Sequence, residues 1–120
     1  MWNGVSRRRF PRVHAPLLIN IHHNGRETEI TTQTESIGQG GLSTSMDHDL
    51  GLAALIRLKL ILPRMSKMIE CQGKVVWIIQ KKSSQGNEIR TRYDTGIEFV
   101  NLGREDSSLI EKLVGEYDWF

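Results

Sequence analysis

The chain has 120 residues, 38% hydrophobic and 25% charged, which is the composition of one globular domain with a modest core and excludes a disordered chain. A formal net charge of +2 at pH 7 does not by itself call for a nucleic-acid partner. One cysteine, Cys71, excludes an intramolecular disulfide, and no apolar run resembles a signal peptide or is long enough to span a bilayer, so a soluble, cytoplasmic protein without membrane insertion is expected.

The chain opens on a basic arm. Residues 1–14 carry Arg7, Arg8, Arg9 and Arg12 and no acid. Guanidinium forks match phosphate oxygens bidentately, stack on flat rings and grip the O6/N7 edge of guanine. A solvated basic tail has the same composition, so the arm alone leaves both readings open.

Leu17-Leu18-Ile19-Asn20-Ile21-His22 reads as a first strand, Asn24-Gly25 as a hairpin turn, and residues 28–34, rich in β-branched side chains, as a second strand. Residues 36–41 then break regularity with Gly38, Gly40 and Gly41. Backbone N–H groups in such a turn can receive an anion, and a hairpin corner or bulge uses glycine equally well. Glu35 should point to the strand face opposite Ser36. Leu42-Ser43-Thr44-Ser45 reads as a short third strand.

Over 55–62, Ile56, Leu58, Leu60 and Leu62 alternate with Arg57 and Lys59, the period of a half-buried strand that Pro63 ends. Residues 69–80 give the next strand, with Val75, Trp77 and Ile79 on one side and Trp77 in the core or barrel wall rather than serving as a base-stacking platform. Residues 81–87 read as a polar turn and 88–100 as a last strand, bent at Gly96. At the C-terminus Leu109, Ile110, Leu113, Val114 and Tyr117 recur at helical spacing, with Asp106 or Asn101 as the N-cap. The fold class is all-β with a C-terminal helix, and short strands at regular spacing suggest a closed antiparallel barrel, which leaves no free edges.

Taken in order, these segments resemble the PilZ domain, a bacterial cyclic di-GMP receptor module. Arg8-Arg9-Phe10-Pro11-Arg12 looks like its Arg-x-x-x-Arg arm. Gly40-Gly41-Leu42 looks like the end of its Asp/Asn-x-Ser-x-x-Gly turn, with Ser36 at the Asp/Asn position and Gly38 at the Ser position. Gly73-Lys74-Val75-Val76-Trp77 and Thr95-Gly96-Ile97-Glu98-Phe99 look like later family strands. The resemblance implies a six-stranded antiparallel PilZ-like β-barrel over 15–120, preceded by the arm over 1–14. It further implies a non-enzymatic receptor for cyclic di-GMP, taken up as an intercalated dimer, that relays the signal to a protein partner. Arg8 and Arg12 would contact guanine faces and phosphates, Arg7 or Arg9 would add a contact, and Ser36, Gly38 and Gly41 would form the barrel side of the site. Because Ser36 and Gly38 depart from the family pattern, the alternative is a PilZ-like protein-interaction adaptor that does not bind the nucleotide.

Other chemistries have less support. His14, His22, His23 and His48 could suggest a metal, but adjacent strand histidines point to opposite faces. Cys71 lies in a strand-like run with no oriented base, which suits a small core residue better than a nucleophile. Neither a metal or cofactor nor catalysis is expected. A barrel that binds single-stranded nucleic acid needs aromatic residues among basic ones, and 7% aromatic content with an acidic C-terminus argues against it.

Overall fold

A computed structural model of the chain describes residues 12–23, 29–62 and 65–117. Its elements are β1 (Arg12–Val13), β2 (Leu18–His23), β3 (Glu29–Gly38), β4 (Gly41–Met46), β5 (Leu55–Leu62), β6 (Lys67–Gln85), β7 (Glu88–Val100) and α1 (Arg104–Tyr117). Strands β2 to β7 close a six-stranded antiparallel barrel in the order β3-β2-β5-β6-β7-β4, with β4 returning to β3. β1 continues the ladder on β3 beyond the end of β2, so the two short strands line one edge of β3 in succession.

Period-2 alternation builds the core. Ile19 and Ile21 of β2, Ile56, Leu58, Leu60 and Leu62 of β5, and Ile69 and Val75 of β6 are buried, while Arg57 and Glu70 between them are exposed. Each such aliphatic side chain contributes about 1.5–3 kcal/mol by leaving water. The helix adds Ile110, Leu113 and Val114 to this core and packs against β1 and β3.

Thr34 is a buried polar side chain with a specific task. Its hydroxyl donates to the Ala15 carbonyl and accepts from the Leu17 N–H at 2.9 Å, and its own N–H donates to the Leu17 carbonyl at 2.8 Å. The segment between β1 and β2 contains Pro16, which has no N–H, so it cannot form a regular ladder. Thr34 satisfies the polar groups on either side of that proline and holds β1 onto β3.

Alternation fails at two bulges, and both change which face a residue occupies. In β3, Thr34 pairs with Thr44 and Ser36 with Ser43, which leaves Glu35 as the extra, exposed residue. Glu35 is therefore not turned to the face opposite Ser36, as strict alternation predicts. In β6, Val75 pairs with Ile97 and Trp77 with Gly96, so Val76 is extra. Val75 stays buried while Trp77 turns outward and is 36% exposed. The expectation of one shared side for Val75, Trp77 and Ile79 fails because one inserted residue inverts the pleat beyond it.

Two further expectations shift. The polar turn expected over 81–87 shrinks to Gly86-Asn87, because β6 runs on to Gln85 opposite Glu88. Beyond the barrel this ribbon is exposed on both faces and carries no apolar alternation to read; main-chain pairing extends it, with the Lys81–Asp94 ion pair at 2.6 Å at its base. Gly86, at φ 61°, supplies the positive φ that the first position of a tight hairpin turn requires. The helix begins at Arg104, not after an Asp106 or Asn101 cap, and the Gly103 carbonyl accepts the Ser107 N–H at 2.9 Å. Asp106 lies in the first turn, where a carboxylate is favoured by the helix dipole. The turn expected at Asn24-Gly25 and the stop at Pro63 lie outside the described residues. Among those described, no helix is long and apolar enough to cross a membrane.

Candidate functional site

The arm and the glycine turn meet on one edge of β3. Arg12 stands opposite Gly38, and Val13 opposite Ile37. Val13 and Ile37 are buried, so alternation turns Arg12 and Gly38 to the outer face of the barrel. The anchored end of the arm is thus held beside the turn by β-pairing and by the Thr34 clasp. Arg7, Arg8 and Arg9 lie outside the described residues.

The irregular part of the turn is narrower than residues 36–41. β3 runs through Gly38 and β4 starts at Gly41, so only Gln39 and Gly40 leave the strands. Ser36 and Ser43 face each other on the outer surface with their hydroxyl oxygens 2.6 Å apart, which commits one donor and one acceptor to that pair. Gly41 pairs with Glu98, and a Cβ on Gly41 would lie 2.2 Å from the Ile97 carbonyl oxygen. Glycine is required there because β4 and β7 approach too closely for any side chain. The Gly40 carbonyl accepts the Phe99 N–H at 3.0 Å and continues that approach into the turn. The Gln39 amide donates to the Ser107 carbonyl at 3.4 Å, the Ser107 hydroxyl at 3.3 Å and the Glu111 carboxylate at 3.3 Å, tying the turn to α1.

A second row extends the site. Ser36 pairs with Ser43, Ser43 with Gly96, and Gly96 with Trp77, so these residues cross β3, β4, β7 and β6 side by side on the outer face. A Cβ on Gly96 would lie 2.1 Å from Cε2 and Nε1 of Trp77. The indole is laid across the bare backbone of Gly96. Nothing in the sequence marks Ser43 or Gln39 as site residues, and it favours core or barrel wall for Trp77. The signal available there was Gly96, since glycine inside a strand often marks a close approach.

The surface so built carries a guanidinium, two hydroxyls and an aromatic face, groups that recognise a flat, anionic ligand, while Gly38 and Gly41 are themselves buried. Other chemistry-bearing residues lie elsewhere. Burial, aided by the charge of Asp106, pushes the Cys71 thiol up to about 11, so it is protonated at neutral pH and a poor nucleophile. His22 faces outward on β2, whereas His23 sets its Nε2 3.1 Å from the Leu50 carbonyl oxygen. Among the described residues no three of His, Cys, Asp and Glu are grouped to hold a metal ion. A cavity of about 720 Å³ opens over β2, β5 and β6, where Lys59 and Glu70 sit 3.8 Å apart, and none of Arg12, Ser36, Gly38 or Gly41 lines it.

Comparison with known proteins gives one family. The model of the PilZ domain matches residues 6–116. No curated protein sequence matches the chain. Among solved structures it resembles the PilZ domain with c-di-GMP of YcgR from Escherichia coli, at a TM-score of 0.75 and 14% identity over 93% of this chain and 92% of that one. It also resembles the Bacillus subtilis inhibitor of motility MotI/DgrA, at a TM-score of 0.72 and 22% identity over 92% of this chain and 50% of that one. The K. pneumonia MrkH-c-di-GMP complex is similar at a TM-score of 0.73 and 19% identity over 92% of this chain and 51% of that one. The chain thus spans about half the length of the last two. Identities this low establish the shared fold.

Proposed function

This chain belongs to the PilZ domain family, and on that premise we propose that it is a receptor for the second messenger cyclic di-GMP that makes and breaks no bonds. The observation that carries this reading is the placement of Arg12 opposite Gly38, which brings the end of the arm and the turn onto one surface. Arg12 and Arg8 engage guanine faces and phosphates, and Arg7 or Arg9 adds a contact. Ser36, Gly38 and Gly41 supply the barrel side, with Ser36 offering what its bond to Ser43 leaves free. The ligand binds as an intercalated dimer, the arm closes over it, and the altered surface is read by a protein partner in the cytoplasm. The YcgR domain and MrkH, which share this fold, have structures with c-di-GMP. Calorimetric titration of the purified chain is the test: binding is expected, and no heat of binding up to millimolar nucleotide sinks the reading.

One observation favours a second reading, an adaptor that does not bind the nucleotide. The Ser36 hydroxyl already pairs with Ser43, and Gly38 has no side chain to offer. If the natural chain is silent and Ser36→Asp with Gly38→Ser binds, the adaptor reading stands.

A further inference from the structure

The first half of β6 is walled on both sides and the second half is not. β5 pairs with β6 only as far as Leu55 opposite Lys74. Val75 is then held on that side by the loop ahead of β5: its carbonyl accepts the Ala53 N–H at 2.9 Å, and its N–H donates to the Ala54 carbonyl at 3.0 Å. Over 76–85, β6 pairs with β7 alone among the described strands. Every second residue of an antiparallel strand turns its N–H and C=O away from its partner, so this stretch presents a row of main-chain donors and acceptors along one open edge. The matching edge of β7 is shorter. β4 covers it as far as Tyr93, and Arg92 reaches back to the Ser45 carbonyl at 3.0 Å and to Asp47 at 2.7 Å.

An open edge is a template for another strand. The strand that fits continues the lane β5 leaves, and the ribbon's side chains say what it carries. Between Val76 and Tyr93 stand Lys81, Lys82, Arg90 and Arg92 against one acid, Glu88. The pairing puts Lys81, Arg90 and Arg92 on one face and Lys82 on the other, so the edge is basic on both faces. Lys81 and Arg92 are tied to Asp94 and Asp47, while Lys82 and Arg90 stand exposed. Toward the barrel the lane passes the exposed Ile79 and begins at Ala53, next to the exposed Leu52. A second copy of this chain would bring Lys81 and Lys82 against their own counterparts, which like charge opposes. Nucleic acid would meet the cations but has no strand to offer the main-chain edge.

We propose that β6 over 76–85 is a docking edge for an extended acidic segment of another protein, which adds as a strand antiparallel to β6. Its main chain pairs with the open edge, its carboxylates lie beside Lys81, Lys82 and Arg90, and an apolar residue near its end packs on Ile79. Main-chain pairing supplies the affinity, and the basic side chains choose the partner. The inference goes beyond the receptor reading and holds whether or not the chain binds nucleotide, since none of Arg12, Ser36, Gly38 and Gly41 lies in this stretch.

The experiment follows the fluorescence anisotropy of a labelled peptide the length of 76–85, glutamate alternating with valine and threonine, titrated with the full chain. Saturable binding is expected. A peptide with methylated backbone nitrogens keeps the charge but loses its N–H donors, and one with lysine for glutamate keeps the main chain but reverses the charge; neither should bind. Lys82→Glu with Arg90→Glu is expected to weaken binding by at least about tenfold with an unchanged melting curve. No binding of the acidic peptide, or equal binding by either control peptide or by the charge-reversed chain, overturns the proposal. Should that variant fold poorly, amide exchange in the natural chain decides: it should slow over 76–85 with peptide bound, and slowing only elsewhere overturns the edge. Dimerisation of the chain through 76–85, or a DNA duplex that binds there more tightly than the peptide, gives the edge another occupant and also overturns it. The receptor reading stands or falls separately, on the nucleotide titration.

Discussion

Arg12 faces Gly38 directly across the β1–β3 ladder, so the arm's last arginine and the turn's first glycine share one stretch of outer barrel wall. Arg12→Ala is therefore expected to weaken cyclic di-GMP binding by at least about tenfold, or about 1.4 kcal/mol, while the chain still melts cooperatively. In the opposite direction, Ser36→Asp with Gly38→Ser adds a carboxylate and a hydroxyl beside Arg12 and should tighten binding several-fold. Calorimetry on the natural chain and both variants checks the pair of signs.

The clasp between Thr34 and the Ala15–Leu17 segment predicts a stability effect far from any ligand. Thr34→Val keeps the shape but removes the hydroxyl shared by the Ala15 carbonyl and the Leu17 N–H, which keep only their direct 3.1 Å bond to each other. A loss of about 1–2 kcal/mol is expected in urea unfolding. A change below about 0.5 kcal/mol would mean that the direct Leu17–Ala15 bond alone satisfies the segment.

Gly96 and Trp77 should fail together. The added methyl of Gly96→Ala would lie 2.1 Å from the indole. The ring must swing off the sheet, at a cost of about 1–3 kcal/mol. The tryptophan emission should shift to longer wavelength as Trp77 gains solvent.

Gln39 links the turn to α1 through Ser107 and Glu111. Gln39→Ala should leave the barrel intact and raise amide hydrogen exchange in the first two turns of α1. Unchanged exchange there would show that the helix is held by Ile110, Leu113 and Val114 alone.

Cys71 gives a pH dependence with a definite sign. Its thiol is raised from 9.0 to about 11 by burial, with Asp106 adding to the shift. The neutral thiol is thus favoured in the folded chain: its contribution to stability is fully present below pH 9 and fades as pH rises toward 11. At pH 8 alkylation of the folded chain should be on the order of a hundredfold slower than of the unfolded chain, since two pKa units set the thiolate ratio. Comparable rates would place Cys71 in water.

Much of this was legible in the residues. Leucine and isoleucine alternation over 55–62 gives β5 to the residue, because every second side chain there is buried. The order of the arginine arm, the glycine turn, Gly73–Trp77 and Gly96–Phe99 carries the family resemblance, and the matched region spans all of them. The ribbon over 81–85 resembles a turn in sequence because its side chains are solvated on both faces, so no periodicity marks it.

By itself, then, the sequence determined the arginine content of the arm, the parity of β5 and the family, all of which rest on local patterns along the chain. Only the tertiary structure decided the faces of Glu35 and Trp77, because a bulge depends on the register of the partner strand and not on the residue inserted. It also decided that Arg12 meets Gly38 and that Ser36, Ser43, Gly96 and Trp77 form one row. Apart from Ser36 and Ser43, which share one hairpin, those neighbours are far apart in sequence, and barrel closure, driven by burial of the aliphatic core, is what brings them together.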